Sequence, residues 1–319
     1  MHLTHRPAQW GDLDTCSRLM RGDQFYDPAL RARRTEIWRR QIVEEAMLSV
    51  VIEDKDLPAP TRIRAFSTSV FVSDAFIAEA KAGLPPGLVG HLHARSWTGK
   101  SPILGPAAIR RANAHQGLNV IIDGYGFAER LSSAEAVPVI EMMFGCFFSY
   151  HAGYQIKEML VEQYGQERAL MNIAAGLRLR TDYVDYLASH PETMQTPDQQ
   201  PMLTGLTREE AFASLGNRYF PLFLYTHPQL GFRPAEQRLL SQALRGGTNE
   251  ECARALGVSP SAVKKCWETV YARVSRIDPS LLDSPADAVR PEAKRGAEKK
   301  PRLLAYLQQH PEELRPYQR

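Results

Sequence analysis

Lys264, Lys265 and Glu268 stand within one turn and a half of a segment whose apolar residues recur at helical spacing, Val263, Trp267, Val270 and Val274. That stripe faces inward, so the two lysines, the glutamate and Ser261 face outward. Two ammonium groups on one exposed helix face can neutralise phosphates or donate to the acceptor edge of guanine, and a carboxylate beside them can accept from cytosine N4 while repelling phosphates. Ser259 opens the same helix, where free backbone N–H groups attract an anion. The chemistry this pattern would support is reading of double-stranded DNA. The expected contact set is Thr248, Asn249, Ser259, Ser261, Lys264, Lys265, Glu268 and Arg273.

Three helices must position that face. Pro234 suits a first helical turn, Leu239, Leu240, Ala243 and Leu244 follow at helical spacing, and Gly246–Gly247 ends the run. Thr248 with Glu251 forms a capping box for a second helix that buries Cys252, Ala253 and Leu256. Gly257 turns the chain, Val258 is expected in the core, and Ser259-Pro260 starts the third helix. In order, "RPAE", Gly247, "TNEECA" and "LGVSPSAVK", closing on Val270, Arg273 and Val274, resemble the LuxR/FixJ-type helix-turn-helix family of bacterial transcription regulators. The resemblance implies a DNA-binding module acting as a dimer. Cys266, Trp267, Glu250 and Glu268 depart from the family pattern, which leaves the operator unspecified.

The first 187 residues read differently. Short strands are expected at "LTHRPA", "LSVVIED", "RIRAFSTSVFVSD", "LNVIIDGYGF", "QIKEMLVEQYG" and "LRLRTDYV", with helices at Asp12–Met20, Leu30–Ala46, Ser133–Tyr150 and "QERALMNIAAG". Strands alternating with helices make an α/β domain. The opening "LTHRPAQWGDLDTCSRLM" and the closing "ERALMNIAAGLRLRTDY" resemble the two ends of the GNAT acyltransferase fold, which implies a mixed sheet with helices. That family cradles a cofactor pyrophosphate on a glycine-bearing loop. The corresponding "FAERLSSAEA" has no glycine and two glutamates, so no cofactor is expected and the domain is read as a ligand sensor or a dimerisation element. The Asp123-Gly-Tyr-Gly run is a ligand-facing strand end or a turn, the turn being preferred. His91 and His93 could begin a metal site, but no third ligand stands near, and none is expected.

Composition bounds the rest. The chain has 319 residues, 44% hydrophobic and 24% charged, with a net charge of +3, an ordinary globular mix. The basic excess lies toward the C-terminus. Four cysteines without regular spacing exclude a disulfide scaffold and suit a reducing cytoplasm. No apolar run reaches membrane-spanning length. Residues 188–230 read as linker and docking segment, with the aromatic run Tyr219–Tyr225 docking one domain on the next. Residues 231–282 form the DNA-binding domain and 283–319 a basic tail, with an amphipathic helix at Leu303, Leu304 and Leu307. "YLASHPE" and "YLQQHPE" each look like a helix stopped before proline. The whole reads as a cytoplasmic, homodimeric DNA-binding regulator with a possible small-molecule effector. The alternative is a GNAT-type acyltransferase with a DNA-binding appendage.

Overall fold

Residues 47–54 and 63–72 are rich in β-branched and aromatic side chains, and both runs are strands in the computed structural model, which describes residues 1–128, 131–193, 196–214, 216–282 and 299–318. The chain divides into two units, Met1–His151 with Gln155–Leu224, and Ala152–Tyr154 with Tyr225–Arg319.

The first unit runs β1 (Leu3–Arg6), α1 (Leu13–Leu19), α2 (Pro28–Ala32), α3 (Arg34–Val43), β2 (Met47–Asp54), β3 (Ile63–Val72), α4 (Asp74–Gly83), α5 (Leu88–Trp97), α6 (Pro106–Ala114) and β4 (Leu118–Phe127). It continues through α7 (Ser133–His151), β5 (Ile156–Tyr164), α8 (Gln166–Ala174), β6 (Arg178–Thr181), α9 (Val184–Ser189), β7 (Pro201–Thr207) and α10 (Arg208–Ala213). The strands form one mixed sheet in the order β1-β2-β3-β4-β5-β7-β6, antiparallel except for the β4–β5 pair. Side chains alternate across it. Phe66, Val70, Ile121 and Leu160 pack with Leu13, Trp38, Phe76 and Leu92 on one face, while Ala65 meets Val139 and Met143 on the other.

The expected linker at 188–230 is corrected here. Within it, β7 lies between β5 and β6, with Met159 opposite Leu206 and Val161 opposite Thr204. Its sequence, PMLTGLT, hides a central strand behind a proline and a glycine. Pro201 is tolerated because it is the first residue. A side chain at Gly205 would lie 2.7 Å from the Met159 carbonyl oxygen, so only glycine lets the two backbones approach.

The second unit is all helical over its described elements: α11 (Pro234–Leu244), α12 (Asn249–Leu256), α13 (Pro260–Ile277) and α14 (Lys299–Gln309). Thr248 accepts from the Glu251 N–H at 3.2 Å while the Glu251 carboxylate accepts from the Thr248 N–H at 2.8 Å. Gly257 is left-handed at φ 66°, ending α12 where other residues would be strained. Val263, Trp267, Val270 and Val274 are buried, and Leu303 and Leu307 of α14 join their cluster. Val258 is not in that core. Its N–H closes the turn on the Ala253 carbonyl at 3.0 Å, and its side chain stays 46% exposed. The basic tail expected from residue 283 onward lies outside the described residues over 283–298. The two echoed heptapeptides take one form in each unit, a helix end with Tyr186 stacked on His190 and Tyr306 on His310, at 4.3 and 4.1 Å.

Candidate functional site

Strands β4 and β5 part company midway. Their parallel ladder runs from Leu118 opposite Ile156 to Ile121 opposite Leu160, and beyond that point β4 pairs with β3 and β5 with β7. A wedge therefore opens between two strands whose inner edges have no ladder. A β-bulge sets the side chains around it. Thr68 faces Gly124 and Ser69 faces Ile122, so Asp123 is the extra residue. The bulge resets the alternation, and Ile122, Tyr125 and Phe127 all line a cavity of about 380 Å³. The glycines between them face the other way. A side chain at Gly126 would meet the Leu19 carbonyl carbon at 2.8 Å, and one at Gly124 would meet Met20 Sδ at 2.8 Å and Trp38 at 3.2 Å. The Asp123-Gly-Tyr-Gly run is thus strand, not the preferred turn. Its glycines admit the end of α1 while Tyr125 reaches the cavity.

Met159, Val161 and Gln163 line the cavity from β5, Ile140, Met143 and Phe144 from α7, and Met171 from α8. Most of this lining is hydrocarbon. Polar groups are few, as in many ligand pockets. Gln163 is 2% exposed, and its side-chain oxygen has no hydrogen-bond partner among the described residues. Tyr219 donates to Asn172 Oδ1 at 2.6 Å. Burial raises the pKa of both Tyr219 and Tyr125, and for Tyr125 the cationic Arg168 and Arg21 partly offset that rise. Both phenols are therefore protonated at neutral pH. Among the described residues that line the cavity there is no carboxylate and no imidazole.

Asp123 points to the opposite face of the sheet. It accepts from Trp38 Nε1 at 2.6 Å, its other oxygen lies 2.7 Å from His93 Nε2, and His93 Nδ1 meets the Tyr26 hydroxyl. His93, Asp123 and Trp38 are all 0% exposed. His91 and His93 sit on helix α5 rather than on a strand, so their rings diverge, and His91 Nε2 lies 3.2 Å from the Pro85 carbonyl. Among the described residues no three His, Cys, Asp or Glu side chains are grouped to hold a metal. No described helix is long and apolar enough to cross a membrane.

The residues at the β4–α7 junction do not fit a coenzyme pyrophosphate. Ser132 turns both its N–H and its hydroxyl onto Glu135, at 2.9 and 2.8 Å, and Glu135 also pairs with Arg64 at 3.0 Å. A carboxylate of the chain itself thus caps the start of α7, where a phosphate would have to approach. Glu129 and Arg130 of the same stretch lie outside the described residues.

The residues expected at DNA are placed in the second unit. Thr248 and Ser259 are helix caps, the latter accepting from the Ala262 N–H at 3.2 Å and lying 2.9 Å from the Ser261 hydroxyl. Asn249 accepts from Lys300 at 3.4 Å. Arg273 turns inward onto Glu236, at 3.0 Å, in a largely buried pair. Lys264, Lys265 and Glu268 are exposed on α13. Of the cavity residues, the sequence points only to Tyr125, through the less preferred reading of its run as a ligand-facing strand end, and not to Arg21, Gln163, Arg168 or Tyr219 as a site. Tyr219, expected in a docking run, lines the cavity. The available signal was the alternation Met159, Val161, Gln163 and the glycines flanking Tyr125.

No family model matches the chain. No curated protein matches it either. Solved structures with a related fold include the C-terminal condensation domain of Ebony in complex with β-alanyl-dopamine, at 13% identity and TM-score 0.40 over 65% of this chain and 99% of that one. They also include the SpeG spermidine N-acetyltransferase of Vibrio cholerae, at 9% and 0.37 over 65% and 94%. A third is FeeM, an N-acyl amino acid synthase from uncultured soil microbes, at 9% and 0.36 over 68% and 98%. At such values the likeness concerns fold alone, a mixed α/β sheet with helices and GNAT-like neighbours. The expectation of a LuxR-type, DNA-binding transcription regulator is corrected: these neighbours are a condensation domain, an acetyltransferase and an N-acyl amino acid synthase, not DNA-binding regulators.

Proposed function

We propose that the sheet unit is an acyltransferase that moves an apolar acyl chain from a thioester to an amine. One observation carries the reading: the β4–β5 wedge opens directly onto a hydrocarbon-lined cavity. The bare strand edges offer N–H and C=O groups to an extended, amide-bearing arm, which adds there as a strand would. The acyl chain then lies against Met143, Phe144 and Met159. In the transfer the amine nitrogen attacks the thioester carbonyl, a C–N bond forms, the C–S bond breaks, and the nitrogen loses a proton to water. The leaving sulfur takes a proton, and Tyr125, protonated and facing the cavity, is placed to give it and then regains one from water. With no carboxylate or imidazole among the described lining residues, the amine has to arrive uncharged.

The test uses dodecanoyl-N-acetylcysteamine, a thioester without a pyrophosphate, with a mixture of amino acids and polyamines. Thiol release is followed by absorbance and the amide by mass spectrometry. The expected result is release that depends on added amine and falls in Ile140→Trp, which takes part of the cavity. Release that is absent, or unaffected by amine and by Ile140→Trp, overturns the reading.

A further inference from the structure

Two guanidinium groups on the cavity wall have nothing to hold among the described residues. Arg168 lies in the first turn of α8 and is half-buried, and Arg21 lies at the rim in the segment after α1. Among the described residues neither guanidinium has an ion-pair or hydrogen-bond partner. By contrast, Arg6 holds Asp12 and Glu53, Arg34 holds Asp23, and Arg180 holds Glu210. A half-buried arginine such as Arg168, without a carboxylate partner over an apolar cavity, loses part of its hydration and regains nothing unless a ligand supplies the anion, and the exposed Arg21 adds a second positive charge at the rim of the same cavity. Gln163 is a second, independent sign of a missing ligand, because its buried side-chain oxygen lines the same cavity with no donor to meet it.

We infer that the acceptor carries a carboxylate beside its amine, an amino-acid-type nucleophile whose carboxylate is held by Arg21 and Arg168 and whose N–H meets Gln163. This rests on the acyltransferase reading and names its acceptor class. The product would be an N-acyl amino acid, with its chain in the hydrocarbon lining and its acid at the two arginines. A planar guanidinium suits a carboxylate because it can donate two parallel hydrogen bonds. The two residues are also near enough to Tyr125 to act on its phenol electrostatically, which puts acceptor and proton donor in one place.

The experiment is equilibrium binding to the full chain by calorimetry, with two probes of equal chain length, N-dodecanoylglycine and its uncharged amide, N-dodecanoylglycinamide. The parent should bind the acid about tenfold or more tightly than the amide, as a charge-assisted contact implies. Arg21→Gln with Arg168→Gln should bring the two affinities together while leaving that of the amide unchanged, which also shows that the variant is folded. Equal affinities in the parent overturn the carboxylate assignment and leave the acyl cavity standing. An acid preference that survives in the double variant overturns the role of these two residues. Binding of neither probe overturns the cavity reading and this inference with it.

Discussion

Replacing Asp123 by alanine should destabilise the sheet unit by an amount that can be counted from its bonds. The carboxylate accepts from Trp38 Nε1 and faces His93 Nε2, and none of the three residues is exposed. Alanine leaves both partners buried without an acceptor, at about 1–3 kcal/mol each. The sum, about 2–6 kcal/mol, is a large part of the roughly 5–15 kcal/mol typical of a domain. Asp123→Asn keeps one acceptor for Trp38 and can donate to His93, so it should cost less than half as much. Hydrogen exchange read on peptides from β3 and β4 reports this unit separately from the helical one. The expected result is faster exchange in the order parent, Asn, Ala, by a factor of about thirty or more for alanine, if those amides exchange through global opening. Exchange within a factor of about two of the parent for both variants would refute the argument that this network holds the bulge.

Gly126→Ala and Gly145→Ala should act with opposite signs. The first forces a Cβ onto the backbone of Leu19 and should cost about 1–3 kcal/mol, whereas the second meets nothing within 4 Å on an exposed turn of α7 and should gain about 0.5–1 kcal/mol by thermal melting. The transfer rate should rise with pH as the acceptor amine loses its proton, and fall only above the usual phenol range, where Tyr125 ionises. Burial raises the Tyr125 pKa, so the proton-donating form persists beyond the usual range, and Tyr125→Phe should lower kcat throughout. Cys146 and Cys16, whose thiols burial pushes up to about 11 and about 12, should resist iodoacetamide at pH 8 in the folded protein and react once it is unfolded in urea.

Much of the sheet was legible in the sequence, because β2, β3 and β5 combine β-branched or apolar residues with lengths that suit strands, and α13 shows its buried stripe at helical spacing. The cavity was not, for physical reasons that differ by residue. β7 carries a proline and a glycine, which usually mark a loop, yet here one starts the strand and the other admits a neighbouring backbone. The bulge at Asp123 breaks the period of two, so Tyr125 changes face without any mark in the sequence itself. Arg21, the Gln163–Arg168 stretch and Tyr219 are far apart along the chain and line one cavity only in the folded sheet. The helical C-terminus misled in the other direction. Its caps and stripe are ordinary helix-building signals, and Arg273, which looks available in sequence, is spent on Glu236.

The central claim is that the cavity at the β4–β5 wedge holds a long apolar acyl chain, and the dependence of transfer on chain length tests it most directly. Thioesters of N-acetylcysteamine from acetyl to tetradecanoyl are compared at one acceptor concentration. Each methylene moved from water into the lining is worth about 0.8 kcal/mol, so kcat/KM should climb roughly fourfold per carbon over the middle of the series and stop climbing once the cavity is filled. The plateau should shift to shorter chains in Ile140→Trp, whose side chain takes part of the space. A flat profile, or a preference for acetyl that the substitution leaves untouched, would contradict the account.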